Sequence, residues 1–147
     1  MPDSRLKLPD EAATEALAAT LAAKARLGDV LLLSGPLGAG KTSFARAFIR
    51  ACANDRKLEI PSPTFTLLQS YDSPIGPIAH YDLWRLSSHH AMAELGWDEA
   101  QSGIVLVEWP DRLGPLTPSP ALRIAISLCG QGREIVISGD KRWFDAS

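Results

Sequence analysis

The most constraining feature of the sequence is a continuous apolar run that leads directly into a glycine-rich loop. The run Val30 to Ser34 is typical of a buried strand, and the loop Gly35 to Thr42 has the pattern G-x-x-x-x-G-K-T. Backbone N–H groups of such a loop surround phosphate oxygens at the start of a helix. The Lys41 ammonium adds a point charge for the β- and γ-phosphates, and the Thr42 hydroxyl can ligate Mg²⁺. The pattern therefore predicts a P-loop.

An ordinary glycine-rich turn is the alternative interpretation of this loop. With glycine near 7% of residues on average, two glycines and a Lys-Thr pair at this spacing arise by chance in roughly one chain of this length in a few hundred. The apolar run before the loop and the predicted helix after it, Lys41 to about Ala53, weaken the chance explanation further.

Length and composition favour one soluble domain, and the net charge argues against direct binding of nucleic acid. The chain has 147 residues, 46% of them hydrophobic, which suits a single domain, residues 1–147, with a real core. A formal net charge of −2 excludes the basic proteins that hold nucleic acid through counterion release. We expect any link to RNA to be indirect. The sequence shows no signal peptide and no apolar stretch of membrane-spanning length, which predicts a cytoplasmic protein.

The two cysteines, Cys52 and Cys129, stand in separate apolar contexts without C-x-x-C or metal-ligand spacing. Such cysteines are typical of free, buried thiols in a reducing compartment. We therefore expect both thiols to be buried.

Several other elements are predicted from capping residues and periodicity. Asp10 is a good N-cap for an alanine-rich helix from Glu11 to Arg26. The prolines of the loop Asp111 to Pro120 predict a segment that is not helical, and Asp140 to Ser147 resembles a tail. The remaining predicted elements are an edge strand at 5–8, a short helical region at 89–100 interrupted at Gly96, and a final hairpin pairing 121–128 with 134–138.

Two β-prone runs, Thr66 to Tyr71 and Ile78 to Trp84, flank a turn rich in Pro and Gly and predict an antiparallel hairpin. Just before it lies Ser62-Pro63-Thr64, where prolines stiffen the loop and leave hydroxyls to form hydrogen bonds. Two interpretations stay open for this segment: a rigid turn, or a loop that senses Mg²⁺ or the γ-phosphate.

Acidic residues end two of the predicted strands. The apolar run from Gly103 ends at Glu108, and a carboxylate at that position can emerge beside the phosphates and hold Mg²⁺ or its waters. Alternation along the second hairpin strand places His80 and Asp82 on one polar face. If that face meets the P-loop, Asp82 can orient an attacking water. Alternatively, Asp82 caps the following segment or pairs with Arg85.

These stretches together resemble the TsaE (YjeE) family, small bacterial ATPases needed for the threonylcarbamoyl modification of adenosine next to the tRNA anticodon. In this sequence Pro36, Ser43 and Trp84 replace the family's usual Asp, Thr and Tyr. Pro36 lacks both the carboxylate and an N–H group. The motifs that carry the resemblance cover nearly the whole chain: Leu8-Pro9-Asp10-Glu11, Gly35 to Thr42, Ser62-Pro63-Thr64-Phe65, His80 to Leu86, Glu94-Leu95-Gly96, Glu108-Trp109-Pro110 and Gly132-Arg133-Glu134.

The resemblance implies a single P-loop α/β domain with a mixed central sheet flanked by helices. It also implies an Mg²⁺-dependent ATPase that binds ATP weakly alone and is stimulated by two partner proteins, TsaB and TsaD. By the same resemblance, Thr42 and Glu108 serve Mg²⁺, and Asp82, Glu108 and Thr64 form the catalytic region. The residues implied to bind nucleotide, with Asp10 as an alternative to Glu11 beside the adenosine, are Glu11, Gly38, Ala39, Gly40, Lys41, Thr42, Ser43, Trp109 and Arg133.

Three other functional classes are weighed against this interpretation. A P-loop small-molecule kinase needs an arginine-rich lid, but few arginines lie between Arg85 and Arg112. A guanine-nucleotide switch needs an N-K-x-D motif, which the sequence lacks. A nucleotide-binding module that does not hydrolyse ATP would still show Lys41 and Thr42, so only turnover measurements separate it from an ATPase.

Overall fold

The computed structural model describes residues 3–144, and a seven-stranded mixed sheet lies at its centre with the strand order β1-β7-β6-β2-β5-β4-β3. The inner pairs β6·β2, β2·β5 and β5·β4 are parallel, whereas the outer pairs β1·β7, β7·β6 and β4·β3 are antiparallel. This arrangement confirms the mixed α/β fold. The strands are β1 (Asp3–Leu8), β2 (Val30–Ser34), β3 (Leu68–Tyr71), β4 (Ile78–Asp82), β5 (Ile104–Glu108), β6 (Leu122–Cys129) and β7 (Gly132–Ser138).

Helices cover both faces of the sheet. On one face, Leu31 of β2 shares a buried cluster with Phe44 of the helix that follows the P-loop. On the other face, Leu32 belongs to a second cluster with Tyr81 and Trp97, whose rings meet edge to face at 5.3 Å. Because alternate residues of β2 enter opposite clusters, this strand is buried on both sides. The helices are α1 (Glu11–Ala22), α2 (Lys41–Ala53) and α3 (Trp97–Ala100), with 3₁₀ turns at His89–Ala93, Pro110–Leu116 and Lys141–Trp143.

The structure confirms most of the predicted elements. Helix α2 has the predicted bounds, β1 lies at an edge of the sheet, and both hairpins form. The first hairpin strand begins at Leu68 rather than Thr66, because the chain makes a turn in which the Leu67 N–H donates to the Pro63 carbonyl at 2.6 Å. Pro63 and Thr64 therefore lie in a turn, and Ser62 directly precedes it.

Helix α1 is shorter than predicted. Asp10 caps it, accepting a hydrogen bond from the Ala13 N–H at 2.9 Å, but the helix ends at Ala22 instead of Arg26. Beyond that point the backbone tightens to 3₁₀ geometry, since the Lys24 N–H donates to the Leu21 carbonyl. Propensity alone did not show where this tightening begins.

The expectation of a non-helical loop at Asp111 to Pro120 is wrong in its first half. Two short 3₁₀ turns occupy Pro110–Leu116, and they meet at Gly114, where φ is +53° and ψ is −121°. Proline is compatible with the first position of a helical turn, where its missing N–H has no partner to lose. Pro110 and Pro115 therefore start turns rather than prevent them.

The tail predicted at Asp140 to Ser147 is also wrong for its described part, whereas residues 145–147 lie outside the described residues. A 3₁₀ turn at Lys141–Trp143 places Trp143 in the main buried cluster. Arg142 fastens this turn by donating to the Lys24 carbonyl at 3.0 Å and by pairing with Asp29.

The two cysteines differ in burial. Cys52 in α2 is buried, as predicted, and burial raises the pKa of its thiol to about 11. Cys129 is exposed, which corrects the expectation for that residue. It ends β6, where the strand extends into the hairpin turn beyond the cover of the core.

Within residues 3–144, no helix is both long enough and apolar enough to cross a membrane.

Candidate functional site

Three neighbouring parallel strands end at one edge of the sheet. Strand β2 ends at Ser34, directly before the P-loop, while β5 ends at Glu108 and β4 at Asp82. Asp82 lies opposite Glu108 in the register, and Leu33 lies opposite Glu108 on the other side. Both acidic side chains are therefore placed beside the P-loop, at the edge where ligands bind in open α/β sheets.

Glycine is required at two positions of the P-loop. A Cβ at Gly35 would clash with the backbone oxygen of Ile126. Gly40 has a φ of +108° and precedes α2 without a side-chain cap. The first N–H groups of α2 therefore face the loop, which is the arrangement that binds anions at a helix N-terminus.

Lys41 lies at the mouth of the P-loop and is only 5% exposed. Its Nζ donates to the carbonyl oxygens of Gly35 at 2.7 Å and Pro36 at 2.9 Å. The same atom lies 4.0 Å from the ring centroid of Trp109, a cation–π distance. The ammonium is thus held at the mouth by contacts that an incoming anion can replace.

The Glu108 carboxylate is 2% exposed and uses both of its oxygens. Oε1 accepts a hydrogen bond from the Thr42 hydroxyl at 2.7 Å, and Oε2 lies 2.7 Å from Nε2 of His80. Burial lowers the pKa of Lys41, while the nearby carboxylates of Glu108 and Asp82 act in the opposite direction. One ammonium and two carboxylates therefore share a partly desolvated site.

Asp82 is held by the two segments that flank it in space. One of its oxygens accepts from the Thr64 hydroxyl at 2.9 Å, and the other accepts from the Trp84 N–H at 3.1 Å. The Ser62 hydroxyl lies 2.8 Å from that of Thr64. Asp82 therefore both faces the P-loop cavity and caps the segment that follows β4.

The sequence also predicts Arg85 as an alternative partner of Asp82. Among the described residues these two side chains form no ion pair, because the Arg85 guanidinium lies over the ring of Phe65, 4.5 Å from its centroid. Phe65 is itself 80% exposed.

Trp109 follows Glu108 with an unusual backbone. Its φ of +60° and ψ of +54° lie in the left-handed region, which costs a non-glycine residue free energy. Its ring lies against Trp84, with the centroids 4.4 Å apart, and against Lys41. The strained conformation therefore belongs to a residue that closes one side of the P-loop mouth.

A second cavity adjoins the P-loop on the side of α1 and the β6–β7 hairpin. Arg133 donates through Nε to the Ala39 carbonyl at 2.7 Å and through Nη2 to that of Gly38 at 3.5 Å. We refer to this region, where the family resemblance predicts adenosine, as the nucleoside end, and to Lys41, Thr42, His80, Asp82 and Glu108, where phosphate and Mg²⁺ are predicted, as the phosphate end. The residues that line the nucleoside end include Asp10, Glu11, Gly40, Ser43, Gln131 and Arg133.

The structure thus gathers the predicted site residues into two adjacent groups. Thr42, Thr64, Asp82, Glu108 and Trp109 line the cavity at the phosphate end, together with Lys41. Gly40, Ser43, Glu11 and Arg133 line the nucleoside end, and Gly38 and Ala39 lie between the two as acceptors from Arg133.

Two of the contacts at the site that the sequence does not predict involve Arg133 and His80. The bond from Arg133 to the loop backbone joins residues far apart in sequence, and no local pattern indicates it. The sequence predicts His80 on the polar face with Asp82 but predicts no partner for it. The sequence did contain a signal, since an imidazole between apolar residues of a buried strand needs a hydrogen-bond partner inside the protein.

The sequence and the fold of this chain are both similar to those of known proteins. The family model described as "Threonylcarbamoyl adenosine biosynthesis protein TsaE" matches residues 8–135. Proteins named tRNA threonylcarbamoyladenosine biosynthesis protein TsaE are similar to this chain in Rickettsia bellii, at 37% identity over 92% of the chain and 94% of that protein, and in Bacillus subtilis, at 38% identity over 88% and 80%. The crystal structure of Bacillus subtilis YdiB matches 97% of this chain and 90% of its own, with a TM-score of 0.78 and 31% identity. The chain therefore belongs to the TsaE family.

Proposed function

We propose that this protein is the ATP-binding and ATP-hydrolysing component of the machinery that forms threonylcarbamoyladenosine in tRNA, acting with the partner proteins TsaB and TsaD. The observation that carries the ATPase part is the contact between Thr42 and Glu108, 2.7 Å apart beside the buried Lys41. Membership of the TsaE family supports the role in tRNA modification.

The phosphates are bound by groups already in place. The first N–H groups of α2 have no partners within the helix and can donate to phosphate, and Lys41 can exchange its bonds to Gly35 and Pro36 for phosphate oxygens. Moving an ammonium from neutral carbonyls to charged phosphate strengthens its hydrogen bonds.

The Thr42 hydroxyl and the Glu108 carboxylate fit Mg²⁺. Both are hard oxygen donors, and P-loop proteins hold the ion through the loop Ser or Thr and an acidic residue at the end of a neighbouring strand. When bound there, Mg²⁺ would neutralise charge on the β- and γ-phosphates. Glu108 reaches this position because β5 lies directly beside β2.

Asp82 is the residue that we assign to the attacking water. Its carboxylate borders the phosphate-end cavity and is held by Thr64 and Trp84, so its orientation is fixed. A carboxylate so placed can accept a hydrogen bond from water and direct it at phosphorus. A partner that binds the closed arrangement of the Ser62 to Thr64 turn better than an open one would stimulate hydrolysis.

At the nucleoside end, we assign adenosine to the cavity between Asp10 or Glu11 on one side and Arg133 on the other. Arg133 contributes to the shape of the P-loop by holding the carbonyl of Ala39. The protein's own contact with tRNA is expected to be indirect, because its net charge of −2 gives no overall attraction to a polyanion.

The test is ATP turnover by the purified protein, measured with Mg²⁺ first alone and then with TsaB and TsaD from the same organism. We expect slow turnover alone and a clear increase with the pair. Glu108→Gln keeps the shape of the side chain, so it should bind nucleotide but turn over poorly in both conditions. If wild-type protein binds ATP but never hydrolyses it, the protein is a nucleotide-binding module rather than an ATPase.

A further inference from the structure

His80 makes a buried contact with the proposed metal ligand Glu108 that the function described above does not use. Its Nε2 lies 2.7 Å from Oε2 of Glu108, and the two side chains are 0% and 2% exposed. We propose that His80 is a positioning residue that orients Glu108 for Mg²⁺. This inference rests on the proposed function.

The hydrogen bond has one consistent direction. An ionised Glu108 carboxylate can only accept, and its Oε1 already accepts from Thr42. Nε2 of His80 must therefore carry the hydrogen and donate it to Oε2. Among the described residues, Nδ1 of His80 has no hydrogen-bond partner, so Glu108 receives the imidazole's only side-chain hydrogen bond.

This donation fixes the orientation of the Glu108 carboxylate relative to Thr42. The last torsion of a glutamate side chain has broad minima, so an unrestrained carboxylate rotates easily. With Oε2 held by His80, Oε1 stays 2.7 Å from the Thr42 hydroxyl, where the two oxygens can act as neighbouring ligands. Substituting a group that orients a metal ligand in this way commonly lowers metal affinity by about 10- to 100-fold.

The competing explanation is that His80 only fills space in the core. Three substitutions separate the two explanations. His80→Gln places an amide N–H near the position of Nε2, whereas His80→Asn carries the same amide on a side chain too short to reach it. His80→Leu fills the space with no donor.

The experiment titrates Mg²⁺ into protein with a fluorescent ATP analogue and measures the Mg²⁺ concentration that gives half-maximal binding. We expect this concentration to rise about 10-fold or more in His80→Leu and His80→Asn, and to stay within about threefold of wild type in His80→Gln. Binding of the analogue without Mg²⁺ should not change. Tyr81→Phe is the matched control, because it removes a hydrogen bond to the Leu95 carbonyl from the same strand on the opposite face.

The effect must also act through Glu108. In a Glu108→Gln background, His80→Leu should cause no further change in the Mg²⁺ requirement. The inference is overturned if Gln and Asn at position 80 behave alike, or if His80→Leu has the same effect with and without the Glu108 carboxylate. The Gln and Asn comparison decides even if His80→Leu does not fold. If wild-type protein shows no Mg²⁺-dependent binding of the analogue, the proposed function itself fails, and this inference fails with it.

Discussion

The phosphate end and the nucleoside end of the site are built differently. At the phosphate end, Lys41, Glu108 and His80 are buried and bonded to groups of the same site. At the nucleoside end, Asp10 and Glu11 are exposed, and Arg133 is half-buried and bonded to backbone. The first region combines the C-terminal parts of the adjacent parallel strands β4 and β5 with the first residues of α2, and the second combines the start of α1 with the β6–β7 hairpin.

The difference in burial determines how each region responds to substitution. Removing one partner of a buried polar pair leaves the other without a hydrogen bond, which costs more than the bond contributed. An exposed group that loses its partner finds water instead. We therefore expect large effects at the phosphate end and small ones at the nucleoside end.

The largest effect is expected from Asp82→Ala. Partner-stimulated ATP hydrolysis should fall by about 100-fold or more, because the carboxylate that we assign to the attacking water is lost, while ATP affinity stays close to wild type. The measurement is ATP turnover in the complex together with ATP binding by the isolated protein. Asn54→Gly is a suitable control, since Asn54 is exposed at the end of α2 with a φ of +54°, which glycine adopts readily.

Normal turnover by Asp82→Ala in the complex would contradict this assignment. Asp82 would then serve only to cap the segment after β4 through the Trp84 N–H. The phosphate end would then differ from the nucleoside end only in how strongly its residues contribute to ATP binding.

Lys41→Ala should weaken ATP binding by about 10- to 100-fold, the effect of losing a charge-assisted contact. The structure adds that Lys41 also holds two carbonyls of the loop. Lys41→Met, which keeps the stem of the side chain against Trp109, separates the lost charge from the lost packing. Isothermal titration calorimetry gives the affinity, and circular dichroism checks the fold. Unchanged affinity in a folded variant would rule out the P-loop assignment.

The sequence predicted the phosphate end better than the nucleoside end, for a physical reason. Buried parallel strands appear as apolar runs, and the ends of adjacent runs must meet at one edge of the sheet. The apolar runs Val30 to Ser34 and Ile104 to Glu108 therefore indicate from the sequence alone which edge of the sheet carries the site. The same rule predicts Glu108 beside the P-loop, and the structure adds its hydrogen bond with Thr42.

Contacts between distant segments could not be predicted in this way. Arg133 reaches Ala39 only because β6 pairs with β2 and turns back into β7, and no local pattern encodes that approach. Likewise, Trp143 is buried by packing against distant parts of the chain, which the local sequence of the predicted tail does not indicate. The contact of the His80 ring with Glu108 could not be predicted either, because it depends on the pairing of β4 with β5.

Arg133→Ala is expected to weaken ATP binding by about 3- to 10-fold, less than Lys41→Ala, because its bonds to Ala39 and Gly38 are partly exposed to solvent. Arg123→Ala removes an exposed charge from the same hairpin and should leave affinity unchanged. Calorimetric titration of both variants gives the comparison. A loss as large as that of Lys41→Ala would show that the nucleoside end fixes the loop as strongly as the phosphate end does.

The smallest effect is expected from Asp10, which has two possible roles at the nucleoside end. Its carboxylate caps α1 at the Ala13 N–H, and it also lines the cavity beside Arg133. Asp10→Ala should lower the free energy of unfolding by about 1 kcal/mol, as the loss of an N-cap does, measured by urea denaturation. Asp10→Ser keeps a capping oxygen but removes the charge, so it should restore stability. If ATP affinity stays near wild type in both variants, Asp10 acts through the helix alone, and Glu11 is left as the acidic partner of the adenosine. If affinity falls in both variants while Asp10→Ser is fully stable, the carboxylate itself contacts the nucleoside, and the nucleoside end is more specific than its exposure indicates.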